Sequence, residues 1–585
     1  MRKYATLLLA MGIFAGSCNN QQNKKESMNN SNDAAFDSYK ERFVEALWRQ
    51  YPGWASSVGY HKYDSILIVP DAAAREKEIA FCKGQLDSLQ QFDDNSLSDN
   101  NKIDKAMMRN QLESSIWSVN EEKSYEWNPA QYNISEGFAD ILNGTYDSLD
   151  NRLHNIGKRL AVVPAFYEAA KQNIKNPTVE HTQLAIEQNI GGASVFEQDL
   201  PAALQKSHLS EAEKAVIKEK AALAATAMKG YADWLKNLKN DHPRSFRLGK
   251  ELYAKKFDFD IQSGYTVDEI YKKAQEHKQE LHTKMAALAN QLWSKYMGNT
   301  QKPADSLLLI RQVIDKISLQ HTIPDSFQAA IEKQIPVLVD FIKKKDLIYI
   351  DPAKPLVVRK EPAYMAGVAG ASINAPGPYD KGGNTYYNVG SLSGWDKQKA
   401  ESYLREYNNY TLQILNIHEA IPGHYTQLVY SNQSPSIIKA ILGNGAMVEG
   451  WAVYTERMML EEGYGNNEPE MWLMYYKWNL RSTCNTILDH DVHAGNMTKE
   501  QAMHLLMDEA FQQQSEAEGK WRRVNVTQVQ LCSYFTGYME IYELREELKK
   551  KMGDKFNLKA FHEKFLSYGS TPVKYIKEMM LKDIK

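Results

Sequence analysis

Two short stretches of this 585-residue chain carry groups able to hold a metal ion and activate water. The first reads Asn416-Ile417-His418-Glu419-Ala420-Ile421-Pro422-Gly423-His424-Tyr425, and Glu449-Gly450-Trp451-Ala452-Val453-Tyr454-Thr455-Glu456 begins 25 residues after His424. Zinc-binding helices of hydrolases usually space two histidines four apart, as HExxH, because residues so spaced lie about 40° apart around the axis and face one ion. Here the spacing is six, which a straight helix would set about 240° round. Pro422-Gly423 reconciles the two: Pro removes a backbone donor and Gly accepts unusual backbone angles, so the pair can bulge or end a helix. The stretch therefore reads as HExxH with two extra residues. Glu449 is the expected third ligand, from a separate helix, and leaves a fourth position for water. Glu419 is the expected general base, while one zinc ion per chain would lower the water's pKa and polarise a scissile carbonyl. Glu456 shares the helical face of Glu449 and is expected to support a ligand imidazole from behind. Taken singly, His418 could end an amphipathic helix, Pro-Gly could be its stop, and Glu449 could be a surface acid. Three ligands and a base in peptidase order favour metal.

The elements that must position these groups read mostly as helices, because apolar residues recur at three- and four-residue spacing through windows poor in Pro and Gly. Ala34 to Tyr51, Ala72 to Phe92, Glu211 to Leu238, Thr266 to Tyr296, Ala400 to His418, Lys499 to Glu516 and Met539 to Lys551 are the clearest. Thr266-Val267-Asp268-Glu269 has a helix-start pattern. From Ile348 to Ser391 the chain is instead rich in Gly, Pro, Tyr and small residues, which predicts short strands just before the histidine motif. The expected fold is mainly α, with a small sheet near the site.

The chain starts Met1-Arg2-Lys3, runs apolar from Tyr4 to Phe14 and reaches Ala15-Gly16-Ser17-Cys18. That is a secretory leader, too short for the roughly 18 to 20 residues of a membrane span. Cys18 after a small-residue site resembles the lipobox of bacterial lipoproteins, which implies cleavage after residue 17 and a lipid on Cys18; the alternative is an ordinary secreted protein with Cys18 incidental. Both place the protein outside the cytoplasm, in the cell envelope if lipid-anchored. Residues 18–33, rich in Asn, Gln, Lys and Ser, read as a flexible tether. The rest divides by expectation into an N-terminal lobe, about 34–345, and a catalytic part, about 346–585. Losing Arg2 and Lys3 with the leader takes the formal charge from −3 to −5, and no basic stripe points to nucleic acid. Besides Cys18, the widely spaced Cys82, Cys484 and Cys532 allow at most one bridge.

HEAIPGH and EGWAVYTE match the HExxPGH and EGWAxYxE motifs of the bacterial "domain of unknown function 885" group, which the chain resembles. The likeness extends to Pro52 through Asp64 and to Arg247-Leu248-Gly249 with Thr266 through Glu269. That group is distantly similar to helical zinc peptidases such as thimet oligopeptidase and angiotensin-converting enzyme, which implies a two-lobed helical shell around a deep cleft. Arg481, Asp489 and His493 correspond to the group's R…DxGxH pattern, with Asp491 in place of Gly. Gln530, Tyr534 and Gly537 correspond to its PGQAxxYxxG pattern, with Gln528-Val529 in place of Pro-Gly. The resemblance implies that Tyr534 and His493 stand near the reacting atoms, where a phenol or imidazole can donate to an oxyanion; a core tyrosine and a capping histidine are the alternatives. It also sets Arg481 and Asp489 as supports around the ligands.

These readings imply a zinc hydrolase of peptide bonds, acting on short peptides. Zinc-activated water attacks other acyl carbons too, so a zinc amidase or esterase stays open. So does a nutrient-binding surface lipoprotein with an aromatic groove, although it leaves Glu419 and Glu449 without a purpose.

Overall fold

A computed structural model describes residues 32–361, 371–380 and 384–584. Cys18, the leader and nearly all of the tether lie outside these, as does most of Tyr364 through Ser372. Helix makes up 72% of the structure and one three-stranded sheet accompanies it, so the fold is mainly α.

Nine helices position the site: α1 (Val179–Gly192), α2 (Val267–Met297), α3 (Phe327–Lys345), α4 (Thr411–Glu419), α5 (His424–Ser431), α6 (Gly445–Glu461), α7 (Pro469–His493), α8 (Gln514–Val526) and α9 (Cys532–Met552). Local chemistry sets several ends. Thr266 accepts from the Glu269 amide, and the Glu269 carboxylate accepts from the Thr266 amide, a reciprocal cap that starts α2. Ser210 and Glu213 do the same for Glu211–Lys236.

Two expected helices are broken. Ala400 to His418 splits into Lys397–Glu406 and α4, because the Asn408 side chain accepts from the amides of Tyr410 and Thr411 and donates to the Arg405 carbonyl, replacing helical hydrogen bonds. Lys499 to Glu516 splits after the wide turn His504–Glu509, where Phe511 takes a positive φ of 55° and Glu406 accepts from the Gln513 amide.

The sheet has the order β1 (Leu356–Lys360), β3 (Thr385–Val389), β2 (Ala371–Asn374); β1 runs parallel and β2 antiparallel to β3. Tyr387 of β3 donates to Asn416 of α4, whose amide donates to Gln334 of α3. The sheet thus lies where the composition of Ile348 to Ser391 placed it.

Apolar burial defines three cores. The largest joins α2 and α3 to α4, α6, α7 and α9. A second holds residues 132–235, and a third joins residues 36–112 to Ile438, Ile441 and Leu442. The expected division near residue 345 therefore does not coincide with a boundary between cores. Residues 250–345 bury their apolar faces against the motif-bearing helices, through Ile270, Leu281 and Ile331 among others. A cleft of about 1830 Å³ is lined by α1, on the second core, and by α4, α8 and β2. Cys82, Cys484 and Cys532 are free and buried, so the one bridge that the sequence allowed is not formed. Among the described residues no helix is long and apolar enough to cross a membrane.

Candidate metal centre

The His-Glu helix does not bulge; it ends. α4 stops at Glu419, Ala420 leaves helical angles, the Ile421–Pro422 peptide is cis, and α5 starts at His424. The two histidines therefore sit on consecutive helices, at the last turn of one and the first residue of the next. Gly423 is required by space: its amide donates to the Ile417 carbonyl at 3.0 Å, and a Cβ there would lie 1.8 Å from the His418 carbonyl oxygen. Trp451 of α6 holds the turn, its indole N–H donating to the Pro422 carbonyl at 2.9 Å.

This arrangement brings His418, His424 and Glu449 together, with one ligand atom from each within 4.8 Å of the others. Glu449 Oε2 lies 3.3 Å from His424 Nε2 and 3.7 Å from His418 Nε2, and the two rings stand at 87°. In a tetrahedral zinc site with ligand bonds of about 2.0 to 2.1 Å, neighbouring ligand atoms are about 3.3 Å apart. Glu449 Oε2 is buried and makes no hydrogen bond with the described residues. Two imidazole nitrogens and an orphaned carboxylate oxygen at these separations fit zinc in both chemistry and spacing.

Glu456 is fully buried and accepts from His418 Nδ1 at 2.7 Å and from the Trp478 indole at 2.9 Å. The proton on Nδ1 leaves Nε2 with its lone pair toward Glu449. Without a metal, burial opposes charge on His418, but Glu449 and Glu456 outweigh it and lift the imidazole to about 10. Glu419 lines the cleft beside the triad and forms no hydrogen bond with the described residues. Burial raises its proton affinity against the opposing pull of His424 and His418, as suits a base.

Tyr534 stands at the same centre, its ring stacked on that of His418 at 6.4 Å. Burial and the Glu449 charge push its phenol up to about 12, so it carries its proton. Arg523 donates to the Tyr534 hydroxyl at 3.1 Å and to Gln530 at 2.6 Å. Tyr534 reaches the His418, His424 and Glu449 cluster because α6 and α9 touch backbone to backbone: a Cβ on Gly537 would lie 1.7 Å from the Ala446 carbonyl oxygen, and one on Gly450 would lie 2.3 Å from Gly537. The motif glycines are thus spacers between the helix of Glu449 and the helix of Tyr534.

Arg481 lines the cleft, pairs with Glu516 and lies over the Trp478 ring, so it braces the indole that holds Glu456. Asp489 and His493 are placed otherwise than expected. Asp489 accepts from the amides of Val529 and Leu531, both at 3.0 Å, and fixes the loop that leads into α9. Val529 has a φ of 68°, a left-handed conformation costly for a β-branched residue, at the position where the family pattern has Gly. His493 does not line the cleft; its Nε2 donates to the carbonyls of Val524 and Thr527, and burial lowers it to about 4, keeping it neutral. It ties α7 to the end of α8 and is a positioning residue. Trp451, Trp478 and Arg523 were not foreseen. The first lay in plain view inside EGWA, and the Arg522-Arg523 doublet was the only sign of the third.

A family model described as "Bacterial protein of unknown function (DUF885)" matches residues 52–580. A solved structure from Shewanella oneidensis, of unknown function, shares 54% identity and a TM-score of 0.84, covering 93% of this chain and 99% of its own. One from Colwellia psychrerythraea shares the fold at 16% identity and a TM-score of 0.77, covering 94% and 99%. Both are described as putative lipoproteins. No curated protein matches. With nearly its whole length matched, from before the third core closes to the last helix, the chain belongs to the bacterial DUF885 family.

Proposed function

We propose that this chain is a zinc-dependent hydrolase that cleaves peptide bonds. The observation that carries the reading is the convergence of His418 Nε2, His424 Nε2 and an orphaned Glu449 Oε2 beside Glu419, a carboxylate with no hydrogen-bond partner among the described residues. A zinc ion held by the three would supply Lewis acidity, polarising a carbonyl and acidifying water. Glu419 takes the proton from the attacking water and returns it to the leaving amine. The Tyr534 hydroxyl, kept protonated by burial and the Glu449 charge and oriented by Arg523, donates to the oxygen on which negative charge develops. Glu456 holds His418 in the tautomer whose Nε2 faces the ion. Support for a peptide substrate comes from the cleft: at about 1830 Å³ it exceeds the roughly 300 to 1,000 Å³ of small-molecule pockets, and Ala371, Ser372 and Ile373 line it on β2, an outer strand able to pair with an extended chain.

Digestion of a mixed peptide library by the purified protein, with and without a chelator, tests the reading. Chelator-sensitive cleavage supports it; an inert zinc-loaded protein overturns it. Tyr534→Phe is expected to lower kcat by about 10- to 10³-fold with little change in KM, since the lost donor acts on the developing charge. Equal turnover by the variant would remove Tyr534 from the mechanism.

The lipoprotein descriptions of the two similar structures support a lipid on Cys18 and a place in the cell envelope. Cys18→Ala is then expected to move the protein from the membrane to the soluble fraction with peptide cleavage intact. A variant that stayed in the membrane fraction would show that another element anchors it.

A further inference from the structure

A second cavity, of about 360 Å³, borders α5 away from the cleft. His424 and Leu428 of that helix line the cleft, whereas Tyr425, Thr426 and Tyr430 line the cavity, together with Tyr349, Asp351 and Glu563. The helix is pinned to the chain leading into β1: the Tyr430 hydroxyl donates to the Tyr349 carbonyl at 3.1 Å, and the Tyr425 hydroxyl donates to the Lys354 carbonyl. Burial, with the charge of Asp351 on one and of Glu563 on the other, raises the Tyr425 and Tyr430 phenols to about 12, so both stay neutral. Among the described residues none of the three tyrosine rings packs against another ring or beneath a Lys or Arg.

The polar groups of the cavity are short of one kind of partner. Asp351 and Glu563 accept from backbone amides, of Ala353 at 2.9 Å and Tyr349 at 3.1 Å, and form no ion pair with the described residues. Lys559, one turn from Glu563 on the helix Leu558–Ser567, is taken by Asp346 at 2.7 Å. Thr426 is 2% exposed, and its Oγ1 is buried without a hydrogen bond to the described residues, which is costly for a hydroxyl. Neutral ring faces, two carboxylates without a cation and a buried oxygen without a donor are all satisfied by a positive group that carries N–H bonds. We propose that this cavity binds a small organic ammonium ion, a primary alkylamine in its charged form. The ring faces attract the charge, Asp351 and Glu563 pair with it, and Thr426 Oγ1 accepts one of its N–H bonds. Ile350 and Val429 give the alkyl chain an apolar wall, and the volume falls within the roughly 300 to 1,000 Å³ of small-ligand pockets. The site stands apart from the proposed hydrolysis and does not depend on it, although α5, which begins at His424, is a wall of both cavities.

The test is calorimetric titration of the full-length chain at neutral pH and fixed ionic strength, with chelator present so that no metal competes for the amine. The probes are n-butylamine, which is charged at that pH, its neutral counterpart 1-butanol, and tetramethylammonium, which has the charge without N–H bonds. The amine is expected to bind once per chain and about 10-fold or more tightly than the alcohol. Asp351→Asn and Glu563→Gln combined are expected to abolish that preference; both variants keep an acceptor for the backbone amides, so the melting temperature should match the parent. Thr426→Val is expected to weaken the amine about 10-fold and, since it removes a hydroxyl without a partner, to be at least as stable as the parent. Equal binding of amine and alcohol overturns the proposal. An amine preference that persists in the double variant places the ammonium elsewhere, in the cleft, and overturns the site. Tetramethylammonium that binds as tightly as the amine, or a Thr426→Val chain that binds the amine like the parent, overturns the hydrogen bond to Thr426.

Discussion

Glu419→Gln is expected to keep zinc and lose turnover. The two side chains are nearly isosteric, and the wild-type carboxylate makes no hydrogen bond with the described residues, so the exchange leaves no partner stranded. The end of α4 is set by the amide of Gly423 on the Ile417 carbonyl and by the Trp451 clamp on Pro422, neither of which involves the Glu419 side chain. The metal content and melting temperature should therefore match the wild type. An amide, however, has no basic site for the water's proton, and general base catalysis is commonly worth about 10²- to 10⁴-fold. Because the base acts in the transition state and not in binding, the loss should fall on kcat and leave KM nearly unchanged. A variant that keeps its zinc and most of its peptidase activity would refute the role given to Glu419. One that loses zinc as well would make Glu419 a ligand and reopen the part played by Glu449.

Removal of a ligand is expected to have the opposite signature, with metal and activity lost together. His418→Ala, His424→Ala and Glu449→Ala each leave two donors of three. Zinc sites held by protein ligands contribute about 10 to 16 kcal/mol in all, so one ligand is worth about 3 kcal/mol or more, a weakening of at least ~10²-fold. Zinc stoichiometry after dialysis, about one per wild-type chain, reads this directly. Chelator should lower the melting temperature of the wild type, since a ligand bound only to the folded state stabilises it, and should leave that of His424→Ala unchanged. His424 is the most informative of the three, because its place beside His418 depends wholly on the break at residues 420–423. Normal zinc content in His424→Ala would mean that the two helices do not share an ion.

The amino-acid sequence by itself determined what is local: most of the helical windows with the Thr266 cap, the sheet region, and the order along the chain of the candidate ligands, base and supporting carboxylate. Those follow from hydrogen bonds and periodicity within a few residues, and tertiary context overrides them only at the breaks near Asn408 and Phe511. It did not show how the Pro-Gly pair resolves the six-residue spacing, since bulge and break are alike in composition. The break was decided by the His418 carbonyl packed on Gly423 and by an indole 29 positions away. Nor did it separate Tyr534 from His493, two candidates of equal local merit. The contact of Gly450 with Gly537 turns the tyrosine to the ligands, while the carbonyls of Val524 and Thr527 claim the imidazole. The missed breaks at Asn408 and Phe511 and the core shared across residue 345 have the same cause. Each depends on which long-range neighbour satisfies a backbone group or covers an apolar face, and only the folded chain brings those neighbours together.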